Sequence, residues 1–440
     1  MNEPTMTRYT FCLLIAIVPS ALAQQPPIRQ LGPVASKSTE SWSNIASVRA
    51  LPGGRVLVND VFGRKVVLLD SSLSKVAVVA DTTPATSTAY SGRFASLIPY
   101  RGDSTLFVDP QSMSMMVVDP DGKMTRVMAL PRSEDAGALG GLLGSSAGLD
   151  ARGRLVYRAP VRFFRGAPPT PGAGAPPQMP TPPDSALIVR VDLATRQVDT
   201  IGVIRTPKVN IQVSQDDKGN MRVISEVNPL PVVDDWAVLP DGSIAFVRGK
   251  DYHVDFVNAD GSKNSAPKIP FEWQRLSDED KVAFIDSVKA ARARLAASQP
   301  TPGLTPAGAP AGGAAASGPD GGGQRVVVQM GPDGGRGGGA GFNGQPQLNF
   351  VSPSDLPDYK PPFFANSVRA DAEGNIWVRT IPTKQIPGGP IYDVINHEGK
   401  LVDRVQVPAN RTIIGFGTGG TVYLVSRDGT SMTLERARVR

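Results

Sequence analysis

Three features of this 440-residue chain predict an all-β fold, a six-bladed β-propeller. A short hairpin with a tight turn occurs six times, most copies are followed by a second hairpin, and the pair recurs every ~40 to 50 residues outside insertions.

The first hairpin is clearest in Val48–Asn59 and Trp236–Val247. There, two runs rich in β-branched or aromatic residues flank turns built on Gly53-Gly54 and Asp241-Gly242. Weaker copies lie at Leu97–Val108, Leu149–Arg158, Val368–Arg379 and Ile413–Ser426. Second hairpins are read at Val66–Val79, Met115–Val127, Ile188–Val203, Val254–Ile269 and Val394–Val407. The sixth unit reaches Arg440 after three strands. Ile28–Val34 is therefore expected to supply its outer strand, closing the ring by pairing the N-terminal strand with the C-terminal blade and leaving no open edge.

In its Leu-Pro-Asp-Gly turn at 239–242, its Asn-Ala-Asp-Gly turn at 258–261 and their weaker copies, the chain resembles exported six-bladed propellers of the NHL-repeat and TolB-like kind. The resemblance covers residues 45–262 and 367–436. It implies the fold and carries over no catalytic residue, because propellers host binding, scaffolding, hydrolysis and lyase chemistry alike.

Residues 1–23 read as a secretory signal, with Arg8 in a basic start, an apolar run from Phe11 to Val18 and a small-x-small site at Ala21-Leu22-Ala23. The propeller is then expected over 24–440, released to a secreted or periplasmic location with no membrane-spanning segment. Cys12 is the one cysteine and leaves with the signal, so the mature chain has no thiol and relies on packing. The net charge of +6 is spread along the chain, without the basic runs interleaved with aromatics that nucleic-acid binding needs. A monomer is expected.

Four insertions extend this frame: 159–185, 204–235, 271–366 and 380–390. Eight of the eighteen residues from Gly166 to Pro183 are proline. Segment 204–235 is predicted to hold a hairpin, Val209–Val213 against Met221–Ser225, about an Asp-Asp-Lys-Gly turn at 216–219. Within 271–298 a helix is predicted from Ser277, a good N-cap, with acids in its first turn and a stripe of Val282, Ile285, Val288 and Leu295. The Gly/Pro/Ala-rich tract 299–346 reads as a disordered linker. In an up-and-down blade with strands A to D, all four insertions belong to the end that carries the B–C loops and the D–A crossings. Loops on a rigid scaffold are where binding concentrates.

No P-loop, nucleophile elbow or His-Glu-x-x-His occurs, and Gly339–Gly344 has dinucleotide-binding spacing without a following helix. The same loop-rich end gathers Asn59, Asp60, Arg64, Arg158, Asp234, Asp235, Arg248 and Arg379 as candidate ligand-binding residues. Arg49 and Arg369, on innermost strands, are candidates for lining the channel. Strand alternation puts Asp251, His253 and Asp255 on one face, a set that can bind a metal, tune a base or hydrogen-bond between blades. The Asp/Arg mixture suits a polar small molecule, glycan or protein segment, and equally suits ion pairs that hold blades in register. The expected function is an exported binding module. The alternatives are a hydrolase or lyase acting on a sugar or lactone with calcium or zinc at the mouth, and a scaffold subunit of an envelope complex.

Overall fold

The computed structural model describes residues 25–83, 90–92, 94–141, 147–160, 183–215, 221–298, 347–384, 386–428 and 431–439. The signal-like segment, most of the proline-rich loop, the turn at 216–219 and the 299–346 tract lie outside the described residues.

The described residues are mostly β, in sheets of three to five strands. Sheet 1 is formed by Ile45–Ala50, Val56–Asp60, Lys65–Leu69 and Lys75–Ala80. Sheet 2 is Ser96–Pro99, Thr105–Asp109, Ser114–Val118 and Met124–Ala129, and sheet 3 is Gly148–Leu149, Leu155–Arg158, Ser185–Val191 and Val198–Arg205. Sheet 4 is Asp235–Val238, Ile244–Arg248, His253–Val257 and Lys263–Ser265. Sheet 5 contains Phe363–Ala370, Ile376–Thr380, Ile391–Ile395 and Leu401–Gln406, and sheet 6 contains Arg411–Gly417, Thr421–Asp428 and Ser431–Arg438. In each sheet the strands run antiparallel in chain order from innermost to outermost.

Alternation along each strand sends side chains to both neighbouring sheets. Leu57, Val66 and Leu68 of sheet 1 pack on Phe107, Met116 and Val118 of sheet 2, whereas Val56, Val58, Val67 and Leu69 pack on Tyr423, Val425 and Leu434 of sheet 6. Further apolar clusters join sheet 2 to 3, 3 to 4, 4 to 5 and 5 to 6.

The tight turns share one device. Asp70, Asp119, Asp150, Asp371 and Asn396 each open a turn and accept, on one side-chain oxygen, the backbone N–H groups two and four residues on, at 2.7–3.0 Å. The residue three places after each is in the left-handed region, and it is glycine in four of the five (Gly122, Gly153, Gly374, Gly399).

The N-terminal segment corrects one expectation. Ile28–Gln30 does not complete sheet 6; it lies parallel to Leu401–Gln406, the outer strand of sheet 5. Ser36–Lys37 instead pairs antiparallel with Ser431–Arg438 as the fourth strand of sheet 6. Leu31 is drawn into the apolar cluster between sheets 5 and 6, and Pro33, having no N–H, cannot extend a ladder. The chain therefore crosses from one sheet to the next.

A seventh sheet stands apart from the six. Val209–Gln215 and Met221–Val227 pair antiparallel, and Gln347–Phe350 joins parallel to the latter. This third strand was not anticipated, since its partner lies more than a hundred residues away. The helix spans Asp278–Ser298. Ser277 Oγ accepts the Asp280 N–H at 3.2 Å and Asp280 Oδ2 accepts the Ser277 N–H at 2.9 Å, a reciprocal cap with aspartate at the third position. Its inward face differs from the predicted stripe. Lys281 and Ile285 are buried, and Phe284 and Val288 half-buried, while Val282 is 47% exposed. Ile285 seats against Leu230, Leu356 and Ile381. Lys281 is tolerated beside that seat because its Nζ reaches Asp358 Oδ1 at 2.8 Å.

Candidate functional site

The rim carrying the B–C loops and D–A crossings holds the candidate site, between sheets 3 and 4. Arg158 ends the second strand of sheet 3 on the same strand face as Val156, which packs on sheet 4. Asp235 begins the innermost strand of sheet 4. Beside them lies a cavity of about 20 Å³ lined by Tyr157, Arg158, Thr206, Asp234, Asp235 and Asn366. That volume takes one water-sized polar group.

A bulge explains how a carboxylate comes to be buried here. The innermost strand of sheet 5 slips register between Phe363 and Val368, with Asn366 left-handed at φ 63°. At the end of the bulge the Val368 N–H donates to Asp235 Oδ2 at 3.0 Å, while Asp235 Oδ1 accepts the Trp236 N–H of its own strand at 2.9 Å. Burial pushes this carboxyl up to about 6; the N–H groups and the Arg158 charge oppose the rise. Burial likewise pushes Arg158 down from the usual guanidinium value, with Asp235 pulling the other way. Arg158 Nε is shut off from solvent and has no hydrogen-bond partner in the protein.

Asp234, also on the cavity wall, has a structural task. It accepts from Arg248 Nη1 at 3.0 Å, from the Arg205 N–H at 3.1 Å and from the Gly249 N–H at 3.2 Å. Arg248 continues outward, its Nε donating to Asp255 Oδ2 at 2.7 Å. His253 then bridges two carboxylates, Nδ1 to Asp251 Oδ1 at 2.8 Å and Nε2 to Asp255 Oδ1 at 3.2 Å. Burial pushes Asp255 up, but Ser265, Arg248 and His253 together hold it below its usual value. Both imidazole nitrogens are thus engaged by carboxylates of their own hairpin. Among the described residues no group of three or more His, Cys, Asp or Glu side chains is arranged to hold a metal ion.

The other candidates lie elsewhere. Asn59 donates to Ala95 O and accepts from Tyr90 Oη at 2.8 Å, joining sheet 1 to the approach to sheet 2. Asp60 accepts the N–H groups of Ser43, Asn44 and Gly63, and Arg64 donates to the carbonyls of Tyr90 and Ser91. Arg379 and Arg369 pair across strands with Tyr392 and Trp377, which pack on sheet 6. Arg49 pairs with Leu57 near the tight-turn rim, so its side chain is turned to sheet 2. Two residues passed over in the sequence also shape the site. Asp135, fully buried in the crossing between sheets 2 and 3, accepts from Tyr157 Oη and from Arg132 Nη2 at 2.9 Å, fixing the tyrosine on the cavity wall. Only the Arg132-x-x-Asp135 spacing hinted at this pair.

No family model matches the chain, and no curated protein matches it. Among solved structures it is similar to a gluconolactonase from Xanthomonas campestris at 11% identity, covering 94% of this chain and 97% of that one with a TM-score of 0.37. It is also similar to regucalcin, a calcium-binding protein from Agrobacterium tumefaciens (13% identity, 94% and 98% covered, TM-score 0.39). Virginiamycin B lyase from Staphylococcus aureus shows 9% identity, 92% and 98% coverage and a TM-score of 0.37. Likeness at this level lends none of these activities to the chain.

Proposed function

We propose that the six sheets are the blades of one closed propeller, and that the chain is an exported binding module. It takes a polar small molecule, glycan or protein segment at the rim between sheets 3 and 4. Ring closure is supported by the apolar clusters that join each sheet to the next and the sixth to the first. Export is supported by the pattern of residues 1–23, and among the described residues no helix is long and apolar enough to cross a membrane.

The observation that carries the binding reading is the contrast between two arginines on one rim. Arg248 is paired with Asp234 and Asp255 and holds sheets 3 and 4 together. Arg158 opens on the cavity with an unpartnered Nε beside a buried carboxyl. A guanidinium edge suits a ligand carboxylate or hydroxyl, and Asp235 can accept from a second hydroxyl. Thermal-shift and calorimetric titrations with glucuronate, galacturonate, gluconate and neutral glucose test this. The carboxylated sugars are expected to bind the wild-type protein and to lose most of that binding in Arg158→Gln. Equal responses from wild type and Arg158→Gln would refute the site. Turnover of any probe, lost in Asp235→Asn, would replace binding by catalysis.

A further inference from the structure

An exposed tryptophan on the loop-rich rim is braced from the core. Trp273, in the crossing between sheets 4 and 5, is 38% exposed, whereas the other three tryptophans, Trp42, Trp236 and Trp377, are 1–5% exposed. Its indole meets the Phe271 ring edge-on with centroids 5.2 Å apart, and Phe271 meets Tyr252 edge-on at 5.6 Å. Tyr252 is fully buried, packs on Phe363 and donates to Asp393 Oδ2 at 2.9 Å. The exposed ring is thus the outer rung of a ladder anchored inside the protein. The segment that carries it is pinned as well. The Leu276 N–H donates to Asp358 O at 2.8 Å and the Lys360 N–H to Gln274 O at 2.9 Å, on either side of an antiparallel bridge between Arg275 and Tyr359. A bridge flanked in this way is the non-hydrogen-bonded kind, in which facing side chains come closest. Alternation sends Trp273, Arg275 and Tyr359 outward, and all three are exposed. Gln274 and Lys360 turn inward and are half-buried, with Lys360 Nζ reaching Pro382 O at 2.7 Å. Trp273 is diagonal to Tyr359 across the pair, a backbone separation of about 7–8 Å.

Apolar residues exposed singly need no explanation; two rings set outward beside a guanidinium do. Rings already held in place offer contact area at little cost in conformational entropy when a ligand arrives. The patch is too small for a protein partner. A tryptophan and a tyrosine bury about 150–250 Å² each, well under the ~800 Å² per side of a standard protein interface. One or two sugar rings fit it better. A pyranose with equatorial hydroxyls has an apolar C–H face, whose slightly positive hydrogens meet the negative face of an aromatic ring. Its hydroxyl edge takes donors such as the Arg275 guanidinium and the Tyr359 hydroxyl. We infer that Trp273, Arg275 and Tyr359 form a stacking site for a glycan of equatorially substituted pyranoses, the kind linked in cellulose and chitin fragments. The Arg158 cavity plays no part in it, so this site stands whether or not that cavity binds a ligand.

Because the other tryptophans are buried, the emission that acrylamide quenches reports Trp273. Titrating the mature protein with cellohexaose or chitohexaose is expected to shift that emission to the blue and to shield it from acrylamide, with saturation. Calorimetry should find the binding lost in Trp273→Ala, kept in part in Trp273→Phe and weakened about three- to tenfold in Tyr359→Ala. Silence towards both hexasaccharides at millimolar concentration would overturn the site, and so would binding that persists in Trp273→Ala. A blue shift with a proline-rich peptide and none with the glycans would also overturn it, giving the patch to a protein segment. Should Trp273→Ala fail to fold, Tyr359→Ala decides the matter, and an unchanged midpoint there refutes the assignment.

Discussion

Replacing Asp235 by asparagine separates the cost of a buried charge from the worth of its hydrogen bonds. The wild-type carboxyl is moved from its usual 3.8 to about 6, which corresponds to about 3 kcal/mol at ~1.4 kcal/mol per tenfold change in proton affinity. The native state holds this proton more tightly than the unfolded chain does. Its contribution is therefore fully present below pH 3.8 and is lost as the pH rises through about 6. Asparagine cannot ionise, so the variant lacks this pH-dependent loss. It does lose something at every pH, because one amide oxygen cannot replace both carboxylate oxygens facing the Trp236 and Val368 N–H groups; that deficit is about 1–3 kcal/mol. Urea unfolding of both proteins from pH 3.5 to 8 reads the difference directly. The wild type should lose about 3 kcal/mol relative to Asp235→Asn between pH 4 and 7, with the two curves parallel above pH 7. A difference that stays flat across that window would show that Asp235 is not buried as a strained carboxylate.

Two glycines in look-alike turns should respond differently to alanine. Both are left-handed, but a Cβ on Gly242 would meet Ala151 N at 2.1 Å whereas one on Gly261 meets nothing within 4 Å. Calorimetry should thus find Gly261→Ala destabilised by about 1 kcal/mol and Gly242→Ala by several-fold more. Ile285→Ala removes the helix residue that is 3% exposed against Leu230, Leu356 and Ile381, at a cost of about 2–5 kcal/mol. Amide exchange should accelerate in Asp278–Ser298 while the central strands of sheet 1 stay protected.

The blade hairpins were legible because period-two alternation and turn glycines are local signals. The Asp/Asn-opened turns were legible only in part. Gly122 and Gly399 mark them, but the acceptor work of Asp119 and Asn396 is seen only once the backbone N–H groups are placed. What the sequence could not carry were pairings of high sequence separation. The strand Gln347–Phe350 finds a partner beginning at Ile224, and Ile28–Gln30 finds sheet 5 rather than sheet 6. A strand of three or four residues has too little pattern to name its neighbour.

The same reasoning explains why the residue types of the site were readable and their roles were not. Arg158 and Arg248 end equivalent strands of adjacent sheets, and nothing in their local sequence separates them. What separates them is the company each keeps. Arg248 has Asp255 seven residues on, in its own hairpin, and Asp234 at the adjoining crossing, so its charge is neutralised by the elements that place it. Arg158 faces Asp235, but the bulge at Asn366 brings that carboxylate the Val368 N–H from sheet 5, and its own strand adds the Trp236 N–H. The carboxylate is satisfied without the arginine, and the guanidinium Nε is left over. A bulge in one blade thus determines that an arginine of another, two sheets away, opens on a cavity instead of closing an ion pair.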